Sequence, residues 1–486
     1  MRVVFRDLAA KGAIYGLGSS LNGLVGFLLI PFYLHQLQAA EYGRYAIAET
    51  WVNLLGVVLG LGFNVSLLAV YPQKTPEERP RFFGEVLTFV LWSTVVIELL
   101  FLGAYAVAHS RWGAGVSPGM ARLVAAVSAV EALWLLYATL YRAEGWAWRY
   151  VVASFLQLAV GLVATILLIA LGGYREEGIL LGRLIGDLAV CVAVLAMPGG
   201  RVPLRWRPSA VASTLRIGIP QIPATFANLW VLMSPRLFVD WFGSKADVGV
   251  FTISTKIGGV LSLILVQPFA RAWMVSLFQV FERPDARRVY GRVVTYYVLV
   301  GAMLAAVTGL AAYAVVPLLA RETFPVSAAI VLVMAMATVA SGLMYPLNIG
   351  PYVTGRTTLQ TPVFLASGVL VSVLGAVLTR AYGVMGGAAA LLIVFLVQAV
   401  ALVRLNQRLY PIEFETGRLI KIAAALAVGL CAAWLAHQAV EPRLGNWLLV
   451  PVFLVVASGL LWGLKFPMAG ELAALRAIGS RARGGA

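Results

Sequence analysis

Apolar runs of twenty residues and more recur along the whole chain, and no other feature limits its fold so strongly. A helix that crosses a bilayer core needs about 20 predominantly apolar residues. Fourteen stretches meet that requirement: near 13–34, 44–70, 83–107, 119–140, 150–171, 178–198, 214–239, 247–279, 291–317, 326–350, 360–379, 384–403, 419–437 and 446–464. The runs are continuous rather than alternating, so they read as helices and not as barrel strands. Charged residues make up only 12% of the 486, against about 25% in a soluble domain. The expected class is an all-α integral membrane protein with about 14 transmembrane helices.

The opening "MRVVFRDLAAKG" reads as a short interfacial helix before a retained first span. That span is too long for a signal-peptide core, and no small-residue cleavage site follows it. With the N-terminus in the cytoplasm, 25 of the 37 lysines and arginines fall on the cytoplasmic side, 8 on the opposite side and 4 inside segments. This bias follows the positive-inside rule and puts both termini in the cytoplasm. It also explains the net charge of +16 without nucleic acid as a partner, because the charge is spread over loops facing one leaflet. Tryptophans at segment ends, such as Trp112, Trp146, Trp206 and Trp447, suit interfacial belts.

The usual marks of catalysis are missing. No G-x-x-x-x-G-K-[ST] phosphate loop, G-x-S-x-G elbow or HExxH pair occurs. The two cysteines, Cys191 and Cys431, lie in apolar segments, and the three histidines are far apart. Neither set makes a metal or cofactor site. With short loops as well, the chain reads as a non-enzyme that needs no cofactor.

Three echoes suggest duplication. "EYGRYAIAETWVNLLG" opens the second segment and "ADVGVFTISTKIGG" the eighth, with Gly43 matching Gly249. Gly145 in "YRAEGWAWRY" matches Gly355 in "YVTGRTTLQT", and Gly178 matches Gly386. The offsets are 206, 210 and 208. The expected organisation is an N-terminal six-helix lobe over 1–199, a cytoplasmic linker over 200–212, a second six-helix lobe over 213–404, and two additional helices with a basic tail over 405–486. Two parallel repeats place a pseudo-twofold along the membrane normal and a substrate site between the halves. Gly43 and Gly249 are then expected in tight turns that lead into the next helix.

"IPFYLHQLQAAEYGRYAIAETWVNLLGVVLGLG", with Pro31, Tyr42 and Gly43, resembles the first helical hairpin of polysaccharide-export flippases. "FGSKADVGVFTISTKI" resembles its second-half counterpart. These are the O-antigen and exopolysaccharide repeat-unit flippases of the multidrug/oligosaccharidyl-lipid/polysaccharide superfamily. The resemblance implies transfer of undecaprenyl-pyrophosphate-linked oligosaccharide from the cytoplasmic to the outer leaflet of the bacterial inner membrane. Two lobes would rock around a cavity that is often cationic, lined by segments one, two, seven and eight. It implies as partners the lipid-linked oligosaccharide, membrane lipids and polysaccharide polymerase machinery. The lipid II flippase branch usually carries an arginine-rich "RxxGxxRD" element in helix one, whereas this chain has "SSLNGLVGFLLIP". The multidrug exporters of the superfamily typically have twelve helices. A cation-coupled drug exporter, a lipid II flippase and a non-transporting scaffold stand as alternatives.

Charges inside a bilayer are costly and mark functional candidates. Arg183 and Asp187, and likewise Arg236 and Asp240, are spaced i, i+4, so each pair either neutralises itself on one helix or serves a gate. Lys256 and Arg271 have no acid three or four residues away on segment eight. As one continuous helix, that segment would place them about 60° apart on the wheel and roughly 22 Å apart along the axis. They would offer cationic stations for pyrophosphate at two depths, or Arg271 would snorkel to the headgroups. Glu49 sits at a matching repeat position and is expected to pair with Lys256 as a gate. Asn22, Asn53, Asn228 and Gln221 are candidates for sugar hydroxyls, or for interhelical hydrogen bonds. Glu98 and Glu131, near the middle of segments three and four, are candidates for proton coupling, or for hydrogen bonding within the first lobe.

Overall fold

A computed structural model describes residues 26–112, 116–197, 202–319, 324–439 and 442–466, all of them helix or connecting turn. The helices run α1 (Ile30–Gln36), α2 (Ala39–Gly60), α3 (Phe63–Val70), α4 (Arg79–Trp112), α5 (Pro118–Ala143), α6 (Ala147–Ala170), α7 (Glu176–Ala196) and α8 (Pro208–Gly218). There follow α9 (Ile222–Phe242), α10 (Lys245–Gly258), α11 (Gln267–Phe281), α12 (Ala286–Leu319), α13 (Ala328–Gly342), α14 (Thr361–Leu409), α15 (Thr416–Gln438) and α16 (Pro442–Gly463). Among the described residues, 12 helical stretches are long and apolar enough to cross a membrane. One of them, Thr357–Leu409, has 53 residues, about 80 Å of helix against a hydrocarbon core of about 30 Å. Gly383 breaks it, with φ 58° and ψ −137°, so it supplies both segments expected at 360–379 and 384–403. The segment expected at 13–34 falls mostly outside the described residues.

Only glycine takes the Gly383 backbone conformation easily. Gly383→Ala is expected to cost about 1–3 kcal/mol, read as a lower midpoint of unfolding in mixed detergent micelles.

The chain forms two compact units. The first runs through Ile253 and takes in Phe324, Pro325 and Thr361–Val394. The second comprises Ser254–Leu319, Val326–Gln360 and the chain from Phe395 onward. The core of the first includes Phe63, Leu67, Phe83, Val86, Tyr137 and Tyr141, contributed by α3, α4 and α5. In the second, α15 and α16 pack on α12 through Ala306, Leu310, Ala433, Phe453 and Ala457, so the last two helices are part of that unit's core.

Gly43 and Gly249 do not occupy turns. The turn before α2 is at Leu37–Gln38, and the helix is already under way at Ala39. Gln38 and Glu41 form a capping box, with the Gln38 N–H donating to Glu41 Oε2 at 2.8 Å, so Glu41 closes the helix start. Gly43 lies one turn in, where α2 crosses α10 with backbone against backbone. A Cβ there would stand 1.8 Å from the Lys245 carbonyl oxygen, and one on Gly249 would stand 2.1 Å from that of Ala39. The two echoed glycines therefore face each other's helices, and close approach rather than turning requires them. Gly145 and Gly355 do sit in turns, both left-handed, at φ 73° and 68°.

A second backbone crossing lies beyond the other end of α2. Leu61 and Gly62 are both left-handed, at φ 44° and 71°, and separate α2 from α3. A Cβ on Gly62 would fall 2.4 Å from the Gly218 carbonyl oxygen, and one on Gly218 2.6 Å from that of Leu61. The helices α6 and α7 also pack closely, because Gly182 and Gly186 make a G-x-x-x-G stripe. A Cβ on Gly186 would be 2.5 Å from the Gln157 carbonyl oxygen.

Segment eight is not one continuous helix. The α10 helix ends at Gly258, a π-helical turn spans Ser262–Val266, and α11 begins at Gln267 with Pro268 in its first turn. The proline ring and missing N–H account for the break. The 60° relation expected between Lys256 and Arg271 assumed an unbroken helix and does not apply.

Candidate functional site

The first unit encloses a cavity of about 400 Å³ between α2, α5, α6 and α9. Its apolar wall includes Val52, Gly56, Val57, Gly60, Trp134 and Leu135. Its polar wall is Asn53, Asn64, Gln157, Gln221, Thr225 and Glu131. Successive turns of α2 supply Asn53, Gly56 and Gly60, and the two glycines leave room that side chains would fill. Asn53 also donates to the Glu49 carbonyl oxygen at 2.8 Å, which fixes its amide at the wall.

Several ion pairs of the first unit run between helices, and one of them includes Glu131 of the cavity wall. Arg183 of α7 donates through Nη2 to both carboxylate oxygens of Glu131 on α5, at 2.7 and 2.6 Å. Asp187 accepts from Gln157 Nε2 at 2.5 Å. Its Oδ2 is buried with no hydrogen-bond partner among the described residues. Arg236 of α9 donates to Glu49 Oε2 at 2.9 Å, and Tyr45 donates to Glu49 Oε1 at 2.9 Å. Asp240 accepts from Lys245. At the start of α2, Arg44 donates to Glu176 at 2.5 Å, and Arg175 approaches Glu41 to 3.8 Å.

The intrahelical pairs expected from the i, i+4 spacing are thus replaced by cross-helix bonds. In both, the arginine precedes the acid, which is the less favourable order against the helix dipole. A guanidinium gains more from a carboxylate on the facing helix, where two parallel helices can be tied together.

Asn53, Glu131 and Gln221 lie on the cavity wall as candidates, whereas Asn228 is not among the lining residues. Arg236 is 5% exposed, engaged with Glu49 and not among the lining residues. Glu98 is buried off the cavity, where it accepts from Ser128 Oγ at 2.6 Å. Lys256 is half-buried and Arg271 exposed, both in the second unit, and Arg271 donates to Gln267 at 3.2 Å. Asn22 lies outside the described residues. The sequence reading passed over Asn64, Gln157 and Thr225. Gln157 had a signal, as the one amide in the apolar stretch 150–171. Asn64 had a similar signal, as an amide in the apolar stretch 44–70, but it reaches the cavity only through the left-handed break before it.

Six polar residues around a space of this size suit a ligand rich in hydroxyls. Amides both donate and accept, and Arg183 offsets the only carboxylate on the wall.

Residues 36–328 match the family described as polysaccharide biosynthesis protein. The chain belongs to that family. No curated protein matches this polysaccharide biosynthesis protein in sequence. Among solved structures it is similar to the lipid II flippase MurJ in an inward closed conformation, with a TM-score of 0.70 at 12% identity over 92% of this chain and 98% of that one. It is similar to an inward-facing multidrug resistance MATE family transporter of the MOP superfamily, at TM-score 0.58 and 15% identity over 82% and 94% of the two chains. A MATE structure in complex with MaD3S gives 0.55 and 15% over 83% and 95%. At such identities these likenesses establish the fold alone, an all-helical one shared with those MurJ and MATE structures.

Proposed function

We propose that this polysaccharide biosynthesis protein carries undecaprenyl-pyrophosphate-linked oligosaccharide repeat units from the cytoplasmic to the outer leaflet of the bacterial inner membrane by alternating access. The observation that carries the reading is the amide-lined, charge-compensated cavity in a chain of this family. Sugars present hydroxyls and little charge, and a wall of Asn53, Asn64, Gln157, Gln221 and Thr225 answers them with paired donors and acceptors. A pocket for organic cations would instead expose uncompensated carboxylate, and Glu131 is bonded to Arg183.

In this reading Lys256 and Arg271 are the cationic stations for pyrophosphate, and Glu49 belongs to a gate. The lobes 1–199 and 213–404 alternate about the cavity, with both termini in the cytoplasm as the positive-inside bias indicates. The test is transfer of fluorescent undecaprenyl-pyrophosphate oligosaccharide across proteoliposome membranes, read by quenching of the exposed label. Wild type is expected to transfer it, and Lys256→Ala and Arg271→Ala to fold but stall. Transfer of small organic cations alone would overturn the reading in favour of a drug exporter.

The cavity amides give a separate prediction. Asn53→Leu combined with Asn64→Leu is expected to slow transfer at least about tenfold, since each lost amide leaves substrate hydroxyls unpaired. Thermal stability in detergent should stay close to wild type.

A further inference from the structure

A second concavity lies on the surface of the first unit, away from the amide-lined cavity. It has a volume of about 700 Å³ and is lined by Phe89, Trp92, Ser93, Val96, Ile97 and Trp206. All but Trp206 come from α4. Trp92 is 61% exposed and Trp206 59%, yet Trp206 is firmly held. The segment before α8 is strapped to α4 at three successive points. Gly84 admits the Pro203 carbonyl oxygen where a Cβ would stand 2.1 Å away. The Arg205 N–H donates to Thr88 Oγ1 at 3.1 Å. The Trp206 ring stacks on Phe89 at 6.2 Å. A built aromatic wall therefore stands against an exposed apolar helix face.

The chemistry of the groove narrows its occupant. Ser93, its one hydroxyl, donates to the Val90 carbonyl of its own helix, so the lining is mainly apolar, with the two indoles as its remaining polar groups. Exposed arginines lie on the same two segments. Arg205 and Arg207 sit on either side of Trp206. Arg81 is exposed on α4 eleven residues before Trp92, about 20° away on the helix wheel and roughly 16 Å along the axis. Glu85, one turn from Arg81, is buried. An apolar slot with exposed arginines on the adjoining strap and further back along α4 matches a long hydrocarbon chain whose head carries more charge than a single phosphodiester.

We propose that this groove is a docking site for the polyprenyl pyrophosphate part of the lipid-linked substrate, with the isoprenoid chain along Trp92, Val96 and Trp206 and the pyrophosphate at the arginines. The proposal rests on the flippase reading above and adds a place where the substrate waits on the membrane face of the protein before its sugars reach the amide-lined cavity.

The test uses the full-length protein in nanodiscs of phosphatidylglycerol and a benzophenone-bearing polyprenyl pyrophosphate disaccharide as probe. After irradiation, label is expected on peptides containing Trp92 and Trp206. Unlabelled polyprenyl pyrophosphate should displace it at a concentration at least tenfold below that of added phosphatidylglycerol. Arg205→Ala with Arg207→Ala should raise the half-saturating probe concentration about tenfold, and Trp92→Ala with Trp206→Ala should cut labelling at least fivefold. Label confined to other peptides overturns the proposal, as does equal displacement by phosphatidylglycerol, which would mark an ordinary boundary-lipid surface. The wild-type peptide map decides the matter even if a variant fails to fold. Transfer in proteoliposomes is read separately. Labelling without transfer retains the groove and removes the flippase reading, whereas transfer without labelling does the reverse.

Discussion

Arg236→Ala is expected to destabilise the protein by up to about 3–5 kcal/mol, because Glu49 loses its guanidinium partner and keeps only its other contacts, the Tyr45 hydroxyl among them. Arg236 is 5% exposed and its bond to Glu49 spans 2.9 Å, so little water is at hand to take the place of the guanidinium. The single variant should express poorly and lose its folded peak in size-exclusion chromatography at temperatures that wild type tolerates. Arg236→Met combined with Glu49→Gln removes both charges and is expected to recover most of the loss, because the amide can still accept from Tyr45. Failure of that recovery would show that the pair does more than neutralise itself. A stable single variant would show that Glu49 has a second cation within reach.

Gly43→Val and Gly249→Val are expected to be equally severe. Overpacking a core with a flexible neighbour costs about 1–3 kcal/mol. Here the neighbour is backbone, with the Lys245 carbonyl oxygen 1.8 Å from a Cβ on Gly43, so the helices must separate and the cost exceeds that range. Gly56 on the same helix provides the contrast. A Cβ there meets nothing within 4 Å, and Gly56→Ala should gain about 0.5–1 kcal/mol from helix propensity. Unfolding midpoints of the three variants in one detergent would rank the sites, and equal losses at Gly43 and Gly56 would refute the close crossing.

The spans were legible because apolar length is written directly in the sequence. The expected segment 360–379 and its neighbour at 384–403 were separable although a single long helix joins them, since Gly383 falls between two apolar runs. The echoed glycines were also visible, but their purpose was not. A glycine that turns a chain and a glycine that admits another helix look alike until the facing carbonyl is seen. The same holds for Arg183 and Asp187, whose spacing fixes their angle on one helix and says nothing of Glu131 on the next. Asn53 and Glu131 were found because a polar residue in an apolar run is conspicuous. Asn64 was as conspicuous, but its aim into the cavity depends on the left-handed backbone at Leu61 and Gly62.

The two backbone crossings that bracket α2 also bear on how such proteins diversify. At Gly43 and at Gly62 no side chain separates the helices, so their spacing there is already at its minimum and is indifferent to cargo. On the α2 side, the bore between these pins is set by what projects into it, Asn53, Gly56, Val57 and Gly60 among them. Under the function proposed above, a lineage that adapts to a bulkier or differently branched glycan is thus expected to rewrite those four positions while leaving the pins untouched. Selectivity can then drift by single substitutions without redesign of the scaffold.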